Sequence, residues 1–217
     1  MKQKKQDILT EKKAERFLES HGIPAAEGEL VNTLSRARQV ALKLKYPVIL
    51  KIISPQALHK TEINGVRIAD DETSLIREFN SLMLLAKRKR IKLDGILVQE
   101  KLHGLELIFG IKKDPIFGHA LMLGIGGVFV EILKDVSFRI CPITEKDVNS
   151  MIEDLKSKKL LAGVRGEKPV NMKQLKQVLV RLSKIPLKDK NLEELDINPF
   201  IIDDKKGKVA DARIVFS

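Results

Sequence analysis

The sequence contains few aromatic residues and a single cysteine. Only 4% of its 217 residues are aromatic, with no Trp and one Tyr, so the stacking platforms that bind single-stranded nucleic acid are scarce. Cys141 cannot form an intrachain disulfide or a cysteine-rich zinc site. No run approaches the roughly 20 apolar residues of a membrane-spanning helix, and the basic N-terminus leads into no apolar signal segment. These absences predict a cytoplasmic protein.

The charge of the sequence is strongly positive. Forty basic and 29 acidic residues give a formal net charge of +11, which suits a polyanionic small molecule, an acidic protein or nucleic acid as a partner. Charge alone does not choose among them, although the scarcity of aromatic residues disfavours nucleic acid. The abundance of Lys, Arg and Glu with one Cys is typical of proteins from hot environments.

Apolar periodicity predicts both helices and strands. Helical spacing occupies residues 34–44, 75–86 and 175–182, with a shorter helix after residue 144. The expected N-caps are Thr33, Asp71, Thr144 and Asn171. Runs typical of strands occupy residues 47–53, 95–100, 106–111, 120–123, 128–133, 195–202 and 208–216.

The order of these elements predicts an α+β fold. Several strands follow one another directly and no regular βαβ repeat occurs, which favours antiparallel sheet. A division near residue 95 would give a smaller subdomain with the N-terminal helix (1–95) and a larger one (96–217). A cleft between two such subdomains is a common place for a small ligand.

The segment from Asp196 to Asp211 predicts a hairpin with oxygen ligands on one face. Residues two apart on a strand share a face, so Asp196 and Asn198 point the same way. A four-residue loop at 203–206 would set Asn198 opposite Asp211, with Cβ atoms about 4.5–5.5 Å apart. Carboxylate and amide oxygens suit Mg²⁺. A polar hairpin that simply faces solvent fits the same residues.

Three other features are candidates for phosphate chemistry, each with a plainer alternative. Lys51 lies within an apolar strand, where it either meets an anion or extends its ammonium to water. The glycines of Gly124–Gly127 allow backbone N–H groups to approach phosphate, or simply form a tight turn. His59, in the polar segment 54–65, is either an ordinary surface histidine or a nucleophile that accepts a phosphoryl group.

Taken in order, these segments resemble the ATP-grasp family. Within it they are similar to the β subunits of ADP-forming acetyl-CoA synthetases, which are relatives of the succinyl-CoA synthetase β subunits. The stretches that carry the resemblance are 17–24, 46–51, 54–66, 96–100, 105–107, 114–131, 196–199 and 210–213. They cover nearly the whole chain, and the resemblance implies two α+β subdomains with a nucleotide between them.

The resemblance implies a set of nucleotide contacts. Lys51 would contact the ATP phosphates, the backbone from Glu100 to Leu102 would read adenine, and Glu106 would hold the ribose. Gly126 and Gly127 are candidates to approach the nucleotide through their backbone N–H groups.

The resemblance also implies a metal site and a phosphoryl relay. Asn198 and Asp211 would bind Mg²⁺, and Asp196 would orient a phosphorylated histidine of the partner. His59 would take phosphate from a histidine of a separate CoA-binding α subunit and pass it to ADP. The implied reaction converts acyl-CoA, ADP and phosphate reversibly into free acid, CoA and ATP, within an α2β2 heterotetramer.

Two positions depart from the family pattern. Asp196 stands where the family usually has Glu, and Asn64 where the loop usually has a second Gly. Alternatives therefore remain: another ATP-grasp acid–CoA ligase without a histidine relay, a regulatory nucleotide-binding module without catalysis, and a basic protein that binds nucleic acid.

Overall fold

The structure is a computed structural model, and it describes residues 7–55, 63–127, 135–164 and 166–217. Its strands are β1 (Asp7–Leu9), β2 (Gly28–Val31), β3 (Val48–Ile53), β4 (Val66–Ala69), β5 (Gly95–Glu100), β6 (Leu105–Asp114), β7 (Gly118–Ile125), β8 (Val136–Ile140), β9 (Leu192–Ile202), β10 (Gly207–Val209) and β11 (Ala212–Phe216). Its helices are α1 (Glu11–Ser20), α2 (Leu34–Leu44), α3 (Glu72–Arg88), α4 (Glu145–Asp154), α5 (Met172–Lys188) and a 3₁₀ helix (Lys158–Ala162). His59 and the strand predicted at 128–133 lie outside the described residues.

The chain divides into two compact units. The small unit is Ala26–Lys101, and the large unit combines Met1–Ala25 with Leu102–Ser217. This partition differs from a boundary near residue 95 because of strand pairing. Strand β5 pairs with β2 and β3 and so belongs to the small unit, whereas β1 pairs with β11 and so brings the N-terminal segment into the large unit.

The small unit is a four-stranded antiparallel sheet with two helices. Its strand order is β2-β5-β3-β4. Alternate residues of β3, namely Val48, Leu50 and Ile52, are fully buried in a core shared with α2 and α3. A reciprocal capping box starts α3, in which the Asp71 carboxylate accepts the Ser74 N–H at 2.7 Å. Capping of this kind satisfies backbone donors that the first turn leaves free.

The large unit is built on a seven-stranded sheet. Its strand order is β1-β11-β9-β6-β7-β8, and β10 also pairs with β9. One face, here called the inner face, carries Leu107, Phe109 and Ile111 of β6 into a core shared with α1, α4 and α5. Because side chains alternate along a strand, Glu106, Ile108, Gly110 and Lys112 lie on the opposite face, here called the outer face.

A β-bulge changes the phase of β9 in the middle of this sheet. Leu107 pairs with Phe200, but Phe109 pairs with Ile197, so β9 has one more residue than β6 over this stretch. The buried positions of β9 therefore switch from Leu195 and Ile197 to Phe200 and Ile202. The extra residue falls at Asn198–Pro199, where the sequence predicted a ligand.

The predicted fold class and helix starts are confirmed. Every strand pair in the two described sheets is antiparallel, and Thr33, Asp71, Thr144 and Asn171 each cap a helix through the side chain. One strand differs from the prediction, since 208–216 is broken at Ala210–Asp211 into β10 and β11. Within the described ranges, no helix combines the length and apolarity needed to cross a membrane.

Candidate active site

The hairpin of β9 and β10 has the predicted register. Ile202 pairs with Gly207, which leaves the four-residue loop Asp203–Lys206. The loop closes because the Asp203 N–H donates to the Lys206 carbonyl at 2.9 Å, and the Asp203 carboxylate accepts the N–H groups of Lys205 and Lys206, both at 2.7 Å. Asp and Asn side chains commonly organise turns in this way.

The same register sets Asn198 opposite Asp211. Ala212 pairs with Ile197, Val209 pairs with Phe200, and the Asn198 N–H donates to the Asp211 carbonyl at 3.1 Å. Asn198 is exposed and Asp211 is half-buried. Directly opposed residues of an antiparallel pair have Cβ atoms about 4.5–5.5 Å apart, close enough for two ligands of one ion.

Helix α5 fixes this hairpin from the side. The Gln174 side chain donates to the Gly207 carbonyl at 2.9 Å and accepts the Gly207 N–H at 2.7 Å. Asn171 donates its N–H to the Asp203 carbonyl at 2.8 Å and its side-chain amide to the Lys205 carbonyl at 2.7 Å. The loop is therefore held to the N-terminal turn of α5 by four hydrogen bonds.

The outer face carries the candidate residues in successive rows. A row here means the residues that are paired across neighbouring strands. Glu106 pairs with Ile201 in one row, and Gly110 pairs with Asp196 in another. The row between these two contains the opposed Asn198 and Asp211. Arg213 of β11 is the other Cα partner of Asp196. A strand rises about 3.3 Å per residue, so rows two residues apart are separated by about 6.6 Å. Glu106, the Asn198–Asp211 pair and the Asp196–Arg213 pair thus follow one line along the sheet.

The Asp196 carboxyl lies in an electrostatically unfavourable place. Burial raises its pKa above the usual range, and the nearby carboxylates of Glu194 and Asp211 raise the pKa further. Arg213 acts in the opposite direction and lowers the pKa. Charge repulsion between Asp196 and Asp211 is the condition that a bound cation relieves.

The donor set fits a magnesium ion. Asn198 and Asp211 offer oxygen atoms only, and Mg²⁺ is usually bound by one or two protein carboxylates together with water and phosphate oxygens. Among the described residues, no group of three or more His, Cys, Asp and Glu side chains could hold a metal ion. The pair thus suits an ion that takes its remaining ligands from nucleotide and water.

Cys141 is unsuited to a thiolate role, because burial raises its pKa to about 11.

The glycine turn after β7 is packed against Glu106. The Gly126 N–H donates to the Glu106 carbonyl at 2.7 Å, and a Cβ at Gly126 would lie 3.0 Å from the Glu106 backbone oxygen. Gly127 has a φ of +73°, a left-handed conformation that glycine adopts easily. Tight packing at Gly126 and the left-handed backbone at Gly127 thus explain both glycines without a ligand.

Glu106, Gly126 and Gly127 also line one cavity of the large unit. The cavity has a volume of about 610 Å³, and Lys168, Asp203 and Asp204 lie at its other side. This volume falls within the range of small-molecule sites. Three of the residues predicted to contact a nucleotide are therefore brought together in one unit.

Lys51 is a buried cation in the small unit. It pairs with Val66 and Leu97 in the sheet and is only 7% exposed, so its ammonium is not an ordinary surface group. Gln99, two residues along β5 from Leu97, is 1% exposed and shares its face. Burying polar and charged groups costs free energy unless they have partners. This face of the sheet therefore requires polar interactions as well as apolar packing.

The side chain and the backbone of Glu100 have different roles. Its carboxylate accepts the Glu27 N–H at 2.7 Å, and its own N–H donates to the Glu27 carbonyl at 2.9 Å. The carboxylate is therefore occupied at the end of β5. Adenine recognition by the backbone from Glu100 to Leu102 stays a prediction.

One departure from the family pattern has a conformational explanation. Asn64 has a φ of +57°, in the left-handed region, where Asn is enriched among non-glycine residues. An Asn at this position therefore keeps the backbone conformation that a Gly would provide.

Sequence reasoning missed Arg213, although the pairing that sets Asn198 opposite Asp211 also sets Arg213 opposite Asp196.

The ATP-grasp domain family matches residues 1–216. The chain belongs to the ATP-grasp family. This match and the antiparallel two-unit architecture confirm the fold expected from the resemblance.

Relatives of this ATP-grasp chain come in two lengths. It is 39% identical over 211 residues to the acetate–CoA ligase [ADP-forming] I subunit beta of Pyrococcus furiosus, covering 95% of this chain and 91% of that one. It is 38% identical over 220 residues to the 4-hydroxybutyrate–CoA ligase [ADP-forming] of Nitrosopumilus maritimus, covering 99% of this chain but 32% of that one. The chain thus spans about a third of the longer relatives.

A solved enzyme shares the structure. Acetyl-coenzyme A synthetase 1 of Ca. Korarchaeum cryptofilum, in complex with coenzyme A, Ca-AMPCP and HgCl+, matches with a TM-score of 0.92 and 39% identity over 97% of this chain and 93% of that one. A second structure of that enzyme holds coenzyme A and Mg-AMPPCP, with a phosphohistidine segment pointing towards the nucleotide binding site. It matches with a TM-score of 0.82 and 38% identity over the same shares.

Proposed function

We propose that this chain is the nucleotide-binding β subunit of an ADP-forming acyl-CoA synthetase. In this role it transfers a phosphoryl group reversibly between a phosphohistidine and ADP, within a reaction that converts acyl-CoA, ADP and phosphate into acid, CoA and ATP. The observation that carries the proposal is the opposed Asn198–Asp211 pair on the outer face of an ATP-grasp chain. The pair offers the oxygen ligands that a magnesium–nucleotide complex needs.

The rows on the outer face support one orientation of the nucleotide. Glu106 would bind the ribose hydroxyls, and Asn198 and Asp211 would hold Mg²⁺ about two residues further along the sheet. The transferring phosphoryl group would then lie towards Asp196, because each row adds about 6.6 Å. This order follows the chemical order of ribose, phosphates and terminal phosphoryl group in ATP.

Charge neutralisation explains the remaining contacts. Bound Mg²⁺ would supply positive charge to the β- and γ-phosphate oxygens. Lys51 would supply a second positive charge as a compact ammonium, which suits phosphate. The backbone from Glu100 to Leu102 would hydrogen-bond adenine, while Gly126 and Gly127 would line the nucleotide pocket without side chains. Catalysis then consists mainly of positioning and electrostatic stabilisation.

A partner subunit would complete the enzyme. The P. furiosus relatives are named as β subunits, whereas about two thirds of the length of the longer relatives lies outside the part that this chain covers. We assign CoA binding and the first phosphohistidine to a separate α subunit, in an α2β2 assembly. His59 would relay the phosphoryl group, and the phosphohistidine segment of the Korarchaeum enzyme supports such a step in a relative.

Phosphate mapping tests the relay directly. The chain is incubated with its α subunit, acetyl-CoA, phosphate and Mg²⁺ in the absence of ADP, and acid-labile phosphate is located by mass spectrometry. Phosphate on His59 that is discharged by added ADP is the expected result, and His59→Asn should remove it. His21→Asn, at a histidine that pairs with Asp189 at 3.2 Å, is the matched control and should keep the label.

The same experiment separates the nearest alternative. If phosphate stays on the partner and His59→Asn retains full turnover, the chain belongs to an acid–CoA ligase without a relay through this subunit. If the wild-type chain binds neither Mg-ADP nor Mg-ATP in calorimetry, the proposed function itself is wrong.

A further inference from the structure

We propose that Arg213 is an additional catalytic residue, whose guanidinium binds the phosphoryl group during its transfer to ADP. This inference rests on the proposed function and adds a residue to its site. It is carried by three observations: the position of Arg213 in the strand ladder, a buried donor atom without a partner, and the acidic residues beside it.

The strand ladder places Arg213 one row beyond the candidate metal ligands. Arg213 pairs with Asp196 across β11 and β9, so the two side chains share the outer face. Asp211 lies two residues earlier on the same side of the hairpin. The Cα atoms of Asp211 and Arg213 are thus about 6.6 Å apart along the chain, and an arginine side chain is long enough to reach a phosphate that Asp211 also approaches.

The guanidinium has an unused donor. Arg213 is half-buried, and its Nε atom is buried with no hydrogen-bond partner in the part of the chain that the structure describes. A buried donor without an acceptor costs free energy, so an acceptor from a ligand is expected. Phosphoryl oxygens are strong acceptors that match the planar fork of arginine.

Arg213 lies among carboxylates that would repel a phosphoryl group. Glu194 and Asp211 each act electrostatically on Asp196, and Arg213 is the cation that opposes them there. A phosphoryl group that enters beside three carboxylates would be repelled. A guanidinium in the same row offsets that repulsion at the point where charge accumulates on the phosphoryl oxygens.

The transfer step balances without a further reactant. The P–N bond of phosphohistidine breaks as a P–O bond forms to a terminal oxygen of the ADP β-phosphate, and the departing imidazole takes up one proton from solvent. Arg213 exchanges no proton in this step. Its contribution is to donate hydrogen bonds to equatorial oxygens of the phosphoryl group while they carry most of the charge.

A comparison of two nucleotides tests the inference. Calorimetry measures the Kd of Mg-AMPPNP, which carries a third phosphoryl group, and of Mg-ADP, which does not, for wild type, Arg213→Met and Arg213→Lys. Loss of a charge-assisted contact should weaken Mg-AMPPNP about tenfold or more in Arg213→Met and leave Mg-ADP within about threefold. Arg213→Lys should recover part of the Mg-AMPPNP affinity, because it restores the charge but not the fork.

Arg139→Met is the matched control. Arg139 is a half-buried arginine of the same sheet, and it pairs with Asp154 at 2.8 Å, so its loss reports what removing a structural arginine does. This control should weaken the two nucleotides equally or not at all.

The outcomes separate the inference from the proposed function. Equal weakening of both nucleotides in Arg213→Met, or no weakening of Mg-AMPPNP, overturns the role of Arg213 while the proposed function stands. Failure of the wild-type chain to bind either nucleotide overturns the proposed function first. A selective loss of Mg-AMPPNP affinity that Lys partly restores supports both.

Discussion

The two units provide their candidate residues by opposite means. In the small unit, one lysine is buried at 7% exposure within an apolar strand. In the large unit, the candidate carboxyl and amide groups are half-buried or exposed and are aligned by strand register. The comparison teaches that the candidate in the small unit is recognised because a charged side chain is buried, whereas the candidates in the large unit are recognised because strand register sets them opposite one another.

The largest effect should follow from removing the charge of Asp211. Asp211→Asn keeps the shape of the side chain but loses the anionic ligand for Mg²⁺, so phosphoryl transfer to ADP should fall about 100- to 1000-fold. The melting temperature should stay close to that of wild type, because the side chain is half-buried between β10 and β11. Initial rates with saturating Mg-ADP and a thermal melt measure the two quantities.

Glu193→Gln of β9 serves as the control in the same sheet. Glu193 pairs with Lys113 at 2.8 Å, outside the proposed site, and exposed ion pairs contribute about 0–1 kcal/mol. Equal rates for Asp211→Asn and Glu193→Gln would remove Asp211 from the metal site.

Lys51→Met tests the small-unit half of the comparison. If Lys51 neutralises nucleotide phosphates, transfer should fall about 100-fold. The melting temperature should be unchanged or higher, since an apolar side chain of similar length replaces a buried charge. The exposed Lys43→Met of α2 provides the control and should change neither quantity. A Lys51→Met protein with normal transfer would make the lysine a structural feature of the strand.

The register of the hairpin could be predicted from sequence because it depends on local chemistry. The Asp203–Gly207 segment has the composition of a turn. If the loop contains four residues, the residues on either side of it pair in order, and this determines which residue of one strand lies opposite which residue of the other. The confirmed pairing of Ile202 with Gly207 and the opposition of Asn198 and Asp211 follow from that. Helix caps were predictable for the same reason, since Asp71 and Asn171 act on backbone groups within three residues.

Other features depend on contacts that are distant in sequence. The bulge of β9 against β6 arises from a partner strand about 90 residues away, and no local pattern at Asn198–Pro199 encodes it. The grouping of residues before Ala26 with the large unit depends on pairing between β1 and β11 at the two ends of the chain. The position of Arg213, in contrast, follows from the hairpin register, because the pairing that sets Asn198 opposite Asp211 also sets Arg213 opposite Asp196.

The melting temperature of Asp196→Asn at two pH values tests the raised pKa of Asp196 in the large unit. The pKa of Asp196 is raised, first by burial and then by Glu194 and Asp211, so its ionised form is disfavoured in the folded chain. Asp196 therefore destabilises the fold increasingly as pH rises above the ordinary carboxyl pKa of about 4. Asp196→Asn should raise the melting temperature at pH 7.5, with a smaller gain at pH 4.5. A gain that is larger at pH 4.5 would contradict the raised pKa.

The smallest effect concerns the support beneath the large-unit site. Gln174→Met removes both hydrogen bonds to Gly207 and leaves a backbone N–H and a carbonyl without these partners, which should lower the free energy of unfolding by about 2 kcal/mol. Because the turn hydrogen bonds of Asp203 still fix the register, the Kd of Mg-ADP should rise only severalfold. Urea unfolding and calorimetry measure the two effects.

Gln177→Met, at an exposed position one turn further along α5, should stay within about 0.5 kcal/mol of wild type. If Gln174→Met instead weakened Mg-ADP as strongly as Asp211→Asn, alignment of the ligands would depend on α5 as well as on strand register.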